Sequence, residues 1–477
     1  VGLSHLGTSA VIDNRTPTCK PWYSRSSMNV RFGEIHQNAS STRREVDIVE
    51  ESGQTPARIV TVRLNDEYFT NPHAVVAGLL RQGPIHRFES GNGTAGWFIV
   101  GHRAGQSVLA DSRFEKSRSS MTAGGGRAAG GLRGLLRRLQ RWASGVTVSH
   151  MLSVDGADHT RLRHVAAGPF TQKAVRGLTP EIVRRAEALV DALDVTRPAD
   201  VVSKLAFPLP MSVICGILGL PDKHAARLGR ASEVLGDVLV AERSELRAAT
   251  GTFLRLLVPP LLLGVILGQG DGLLRQLAQA VRRREISFFE AVSTATLLVI
   301  AGHETTSSLI AHAALRVVDS PELRRKITAG DVAALDSLIE ETARLDPPLP
   351  VTTLRYTSEA VELEGVTIAA GDWVMVSLLG ANLDPARVTE PAQFDAGRHP
   401  NPHMSFGYGI HYCVGSHLAR AEARAAITAL LTRYPDIALD VDRADLEWRR
   451  SVVFRQVRQL PVTLGRPTGR PRSGQAA

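Results

Sequence analysis

Phe406-Gly407-Tyr408-Gly409-Ile410-His411-Tyr412-Cys413-Val414-Gly415 sets a single thiol in a glycine-punctuated loop, directly ahead of a strongly helical run from Ser416 to Thr432. Glycine tolerates positive φ, so Gly407 and Gly409 fit a tight turn and let the backbone pass close to a flat cofactor. The helix after the loop points its unpaired N–H groups and positive dipole end back at the sulfur, which favours thiolate over thiol. Gly415 removes a side chain where that helix would meet such a ring. A lone cysteine is more often a small buried hydrophobe. The residues around Cys413 suit it instead to a ligand role.

Composition narrows what surrounds this loop. The chain has 477 residues and three cysteines, Cys19, Cys215 and Cys413. They are far apart and form no C-x-x-C pair, which argues against a disulfide framework or a cysteine-rich zinc site and fits a reducing cytoplasm. The net charge is +9. A generally basic soluble protein accounts for it, with steering of acidic partners as the functional counterpart. No helix-turn-helix, zinc-finger or RNA-binding pattern accompanies the charge, so nucleic acid is not inferred. The most apolar stretch, Leu256 to Gly268, is interrupted by Pro259 and Pro260. A spanning helix needs about 20 apolar residues, so no membrane segment is expected. The N-terminus lacks the basic-then-apolar order of a signal peptide.

Residues 1–57 are polar and mixed and read as a disordered extension, and residues 467–477 as a Pro/Gly/Arg tail. Between them, short β-like runs such as Trp97-Phe98-Ile99-Val100 alternate with long helical stretches. Gly124-Gly125-Gly126-Arg127-Ala128-Ala129-Gly130-Gly131 contains a formal G-x-G-x-x-A, but no strand precedes it, so a loop leading into the basic helix Leu132 to Trp142 is the better reading. The clearest helix runs from Phe288 to about Val318. Ser287 and Glu290 form a capping box at its start, and Asp319-Ser320-Pro321 ends it. It would be roughly 45 Å long, and its first half, Ala291 to Ile300, is nearly all apolar, so it is expected to be buried on most sides.

Polar residues interrupt that helix at Ala301-Gly302-His303-Glu304-Thr305-Thr306. A buried carboxylate needs partners, and a threonine that bonds the i−4 carbonyl bends a helix. A capped, partly wet kink is the structural alternative to a catalytic role. Glu341 and Arg344 stand at i, i+3 in a helical run closed by Pro347-Pro348, so they can pair. His159 and Arg163, at i, i+4, point the same way, and Arg355 follows the prolines.

Taken in order, these segments resemble the cytochrome P450 family, in its soluble bacterial, actinobacterial-type branch. The loop matches F-G-x-G-x-H-x-C-x-G, the long helix A-G-x-E-T-T, the later helix E-x-x-R, and His159–Arg163 the H-x-x-x-R segment. The resemblance covers about residues 58–466 as one catalytic domain. It implies a mainly α fold with a small β-rich region. It further implies haem b with Cys413 as axial thiolate, lined by Phe406, Gly415 and Ala301. His159, Arg163, Arg355 and His411 would meet the propionates. Glu304 would be the relay acid and Thr305 the hydroxyl that passes protons to dioxygen; His303 and Thr306 would support them. Glu341 and Arg344 would hold the haem loop. The family often adds an arginine in a P-x-R-F-like segment. Here Pro391-Ala392-Gln393-Phe394 has Gln393 at that position, and either Gln393 bonds neutrally or Arg398 substitutes.

The implied activity is insertion of one oxygen atom from dioxygen into a small hydrophobic substrate, in natural-product tailoring. Electrons would come from NAD(P)H through ferredoxin and ferredoxin reductase, since no flavin or iron–sulfur domain is fused. Members of the fold that cross-link, dehydrate or isomerise often lose the acid–hydroxyl pair, which this chain keeps. A haem-based sensor or binding protein would carry an output module, which neither residues 1–57 nor the tail resemble. Substrate contacts are expected from Met121 to Met151, Ile300 to Thr305, Leu349 to Leu354 and Val452 to Phe454. The basic run Arg133, Arg137, Arg138 and Arg141 raises an acidic or carrier-bound substrate, against a plain solvated helix face.

Overall fold

The computed structural model describes residues 58–90, 93–116, 149–236, 242–468. The extension 1–57, the glycine-rich loop, the basic helix 132–142 and the last nine residues of the tail lie outside them. The chain divides into two units, Val1–Pro56 and Ala57–Ala477, and every described residue belongs to the second.

Helices dominate, as expected. The first part of the chain alternates: β1 (Thr61–Leu64), α1 (Asp66–Thr70), α2 (Pro72–Leu80), β2 (Ile85–Ser90), β3 (Ala95–Ile99), α3 (His102–Ala110) and β4 (Phe114–Glu115). The middle is helical, with α4 (Gly156–Ala166), α5 (Gln172–Asp191), the short β5 (Ala199–Asp200), α6 (Pro208–Leu218), α7 (Ala225–Gly236), α8 (Arg243–Leu267), α9 (Gly272–Arg282), α10 (Phe288–Val318), α11 (Pro321–Thr328) and α12 (Val332–Leu345). The last part holds β6 (Arg355–Thr357), β7 (Val361–Leu363), β8 (Val366–Ile368), β9 (Trp373–Val376), α13 (Leu378–Asn382), α14 (Ser416–Arg433), β10 (Ala438–Leu439) and β11 (Pro461–Thr463). Strands from both ends of the sequence build one six-stranded sheet, β1-β2-β3-β9-β6-β4. Its β1–β2 and β3–β9 pairs are parallel and the others antiparallel.

The long helix α10 has the bounds the capping box implies. Ser287 Oγ accepts from Glu290 N–H at 3.2 Å, and Glu290 Oε2 accepts from Ser287 N–H at 2.7 Å. It packs against α6, α7, α8, α12 and α14, so it forms the axis of the helical core. The helix is continuous across Gly302. Thr305 Oγ1 donates within the helix to Ala301 O at 2.7 Å, and Ser308 Oγ to Glu304 O at 2.9 Å.

One expectation is overturned. Pro259 and Pro260 do not interrupt the apolar stretch. They lie inside α8, which runs unbroken for 25 residues to Gly268 in the left-handed conformation. Pro259 is on the exposed face, where the carbonyls it leaves unpaired can be hydrated. By length and composition α8 is apolar enough to cross a membrane, the one such helix among the described residues. Its Phe253, Leu257, Leu261 and Gly264 are buried, and the helix packs against α7 and α9.

Candidate active site

The cysteine loop is closed by its own backbone. Cys413 N–H donates to Phe406 O at 2.8 Å, and Gly407 N–H to Met404 O at 2.8 Å. Gly407 and Gly409 have φ of 76° and 71°, as the turn requires. At Gly409 a Cβ would stand 2.5 Å from Leu109 O, so this glycine serves the approach of the loop to the end of α3. Arg163 braces the loop from outside, donating to Ile410 O at 3.2 Å and Tyr412 O at 2.8 Å. Arg420 lies 4.2 Å from the centre of the Phe406 ring and is gripped by Glu340 at 2.6 and 2.8 Å. Burial opposes ionisation of Glu340, but Arg420 and His403 hold its carboxyl down at about 2.

Cys413 is exposed, yet desolvation is the largest influence on it; the two together put the sulfur on the wall of an interior cleft. Burial pushes the thiol up, while Gly415 N–H, Arg163 and Arg420 pull it down less strongly. The helix and loop therefore do not make the thiolate by themselves. A positive centre bound to the sulfur would do that.

Below the loop, Glu341 and Arg344 are fully buried and pair side by side, with Arg344 Nε to Glu341 Oε2 and Nη2 to Oε1 both at 2.7 Å. Arg398 Nε donates to Glu341 Oε1 at 3.1 Å, Asp395 N–H at 3.0 Å, and Asn401 Nδ2 to Oε2 at 3.0 Å. Arg344 in turn reaches the carbonyls of Asn382, Pro391 and Gln393. The missing arginine is thus replaced by Arg398. Gln393 contributes its backbone, and its side chain faces Glu390 at 3.3 Å.

On α10, Ala301 is exposed and Ile300, Gly302 and Thr305 half-buried, with Ala301 and Thr305 one turn apart on a helix largely buried on either side. They share a face that opens. Glu304 turns elsewhere. It is 1% exposed, and its Oε2 accepts from Arg449 Nη1 at 2.8 Å. His303 is buried edge-on against Phe207 with ring centres 4.1 Å apart, and burial pushes its imidazole down to about 3, so it is neutral. Thr306 is buried.

The basic residues expected to act together do converge. His159 and His411 meet with ring centres 4.5 Å apart. Burial, then His411 and Arg163, push His159 down to about 4. Arg355 is 3% exposed; its Nη1 donates to Phe114 O at 2.9 Å, and its Nε is buried with no acceptor among the described residues. Sequence reasoning missed two members of this group. Asp155, the residue that starts α4, accepts from His411 Nε2 at 2.9 Å and from Lys116 N–H at 2.5 Å. Lys116 reaches Thr353 O at 3.1 Å, and burial, then Arg355, push its ammonium down to about 7. No local pattern links residue 116 to 353; β4 pairing with β6 brings them together.

The cytochrome P450 family model matches residues 271–445. The chain is 34% identical over 417 residues to cytochrome P450 monooxygenase PikC of Streptomyces venezuelae, covering 85% of this chain and 95% of that protein. It is 29% identical over 410 residues to the polyketide biosynthesis cytochrome P450 PksS of Bacillus subtilis, covering 84% and 97%. Among solved structures, P450BioI in complex with a hexadec-9Z-enoic acid ligated acyl carrier protein superposes with a TM-score of 0.72 at 31% identity, covering 83% of this chain and 99% of that one. A single thiol on a cleft wall, a buried Glu–Arg pair under its loop and identity at this level across the whole catalytic unit lead to one conclusion: the chain belongs to the cytochrome P450 family of haem-thiolate monooxygenases.

Proposed function

We propose that this enzyme inserts one atom of dioxygen into a small hydrophobic substrate, by hydroxylation or epoxidation, as a tailoring step on a natural product. The observation that carries the reading is the open face of α10, where Thr305 and Ala301 interrupt a buried helix without breaking it. The likeness to PksS, named for polyketide biosynthesis, supports the tailoring context.

The residues present fit haem. Cys413 would ligate the iron, with Phe406 opening its loop and Gly415 beside the sulfur, where even a Cβ would stand 4.0 Å away. The buried Nε of Arg355 lacks an acceptor among the described residues, and a propionate would supply one. His159 and His411 would share that role, and Arg163 would add charge while it braces the loop. When bound, haem supplies activation of dioxygen with electrons from outside.

The protein's own part is to hold protons and exclude water. Thr305 keeps its hydroxyl proton on Ala301 O and must turn from it to donate into the cleft. Glu304 is the acid of the relay, held by Arg449. The neutral His303 and buried Thr306 seal the helix behind them. Glu341, Arg344 and Arg398 fix the loop that carries the sulfur.

The family draws electrons from redox partners; here we assign NAD(P)H, a ferredoxin reductase and a ferredoxin, acting in the cytoplasm. A carrier-bound acyl substrate is a further reading, favoured by the likeness to P450BioI in its carrier complex. Two measurements test the function. Reduced, haem-loaded protein should give the red-shifted Soret band of a carbon monoxide adduct. Turnover under labelled dioxygen should place one labelled atom in the product; an unlabelled product would sink the oxygen-insertion reading.

A further inference from the structure

Lys116 directly follows β4. The β4–β6 ladder pairs Phe114 with Thr357 and Glu115 with Tyr356. One more step of this antiparallel register sets Lys116 opposite Arg355, so two cations stand side by side at its end. Like charges placed this way are unfavourable unless an anion answers both. Asp155 is the carboxylate whose field favours the charged form of each. Its two oxygens are already engaged, Oδ1 by His411 Nε2 and Oδ2 by the backbone N–H of Lys116. The ammonium turns to Thr353 instead, where Nζ donates to the backbone O at 3.1 Å and contacts Oγ1. Both acceptors are neutral, and three ammonium protons meet only these two among the described residues.

Lys116 is half-buried, and burial, then Arg355, push its ammonium down to about 7. Arg355 is short of a partner too, with its buried Nε lacking an acceptor among the described residues. Adjacent cations with donors to spare suit an anion that has two oxygens. Thr353 is exposed, in the stretch Leu349 to Leu354 expected to contact substrate. Its hydroxyl can donate to the same anion that Lys116 meets. We propose that Lys116 and Thr353 form a carboxylate site bordering the cleft, with the Lys116 ammonium and the Thr353 hydroxyl as its donors. A carboxylate reaches it from one of two sources, a haem propionate or an acidic group on the substrate. The substrate source rests on the proposed insertion of oxygen into a hydrophobic molecule, and makes that molecule an amphiphile held by its acidic end.

The decisive variant is Lys116→Met, which keeps the length of the side chain, removes its charge and strands no ion-pair partner. The experiment uses the haem-loaded full chain and two readouts that need no turnover. One is calorimetric binding of decanoate against decan-1-ol, which share a chain and differ in the carboxylate. The other is the rate of haem transfer to apomyoglobin. With the substrate as source, wild type prefers decanoate. Lys116→Met then weakens decanoate about tenfold, as expected for loss of a charge-assisted bond, and leaves decan-1-ol within about twofold. With a propionate as source, Lys116→Met leaves both affinities unchanged and speeds haem transfer about fivefold. In either case Lys116→Arg restores the wild-type value, and Thr353→Val gives the same change more weakly, about threefold. Wild-type values in both readouts for Lys116→Met, or for Thr353→Val should Lys116→Met not load haem, overturn the site. An unlabelled product under labelled dioxygen, with the decanoate preference intact, sinks oxygen insertion and leaves the site standing.

Discussion

The network around Glu341 and the polar stretch of α10 treat buried charge in different ways. Glu341 receives N–H groups from Arg344, Asp395, Arg398 and Asn401 on both oxygens, and Arg344 is bonded in turn to three backbone carbonyls. Nothing in that arrangement has room to turn. On α10, Glu304 meets a guanidinium that also serves Gln456 and Glu233, and the Thr305 hydroxyl rests on its own helix. The contrast fits the two tasks proposed for these residues. A loop that sets a metal ligand must not move, so its charges are saturated. Groups that move protons must change partners, so theirs are shared.

The largest effect should come from the loop itself. Cys413→Ser replaces the ligand sulfur with a hydroxyl, and we expect the carbon monoxide band and the monooxygenase activity to be lost together in protein that still folds. Retention of the band would break the assignment. Next is Glu341→Gln, which leaves Arg344 charged and buried. It should cost about 3–5 kcal/mol, seen in chemical denaturation as a failure to retain haem under conditions where wild type does.

Acid should separate the two regions. His303 is buried and neutral, with its imidazole pushed down to about 3 against about 6.5 when unfolded. Between those values the unfolded chain binds a proton that the folded chain does not, so stability present above pH 6.5 falls as the pH drops. Glu340 behaves differently: held at about 2, its contribution is lost only below about 4.5. The window from pH 6.5 to 4.5 therefore reports on histidines such as His303 and His312. His303→Gln should flatten the slope there by up to about 3 kcal/mol across the window. An unchanged slope would show that His303 is not held neutral.

Thr305→Ala should leave stability within about 1 kcal/mol, since its hydroxyl bonds only a helix carbonyl that can be hydrated. It should lower the share of electrons that reach product by about tenfold, equivalent to about 1.4 kcal/mol. Unchanged coupling would remove Thr305 from the relay. The smallest effect is Gln393→Ala. This side chain takes no part in the Glu341 network, so the change should be below about 0.5 kcal/mol, whereas Arg398→Ala should weaken haem retention measurably.

Much of the molecule was legible in the sequence because it is local. Positive-φ glycines, the Ser287–Glu290 capping box and the i, i+3 pair Glu341–Arg344 are each decided by residues within a few positions, where turn sterics and helix period act. Those features, in order, carry the family resemblance that implied a mainly α fold. Other decisions belong to tertiary structure. Arg398 rather than Gln393 completes the Glu341 network, Asp155 and Lys116 join the basic cluster, and α8 passes through Pro259-Pro260 on a hydrated face. Arg449 finds Glu304 across 145 residues. A buried charge takes whichever partner the packed chain brings within about 3 Å, and no period in the sequence encodes that distance.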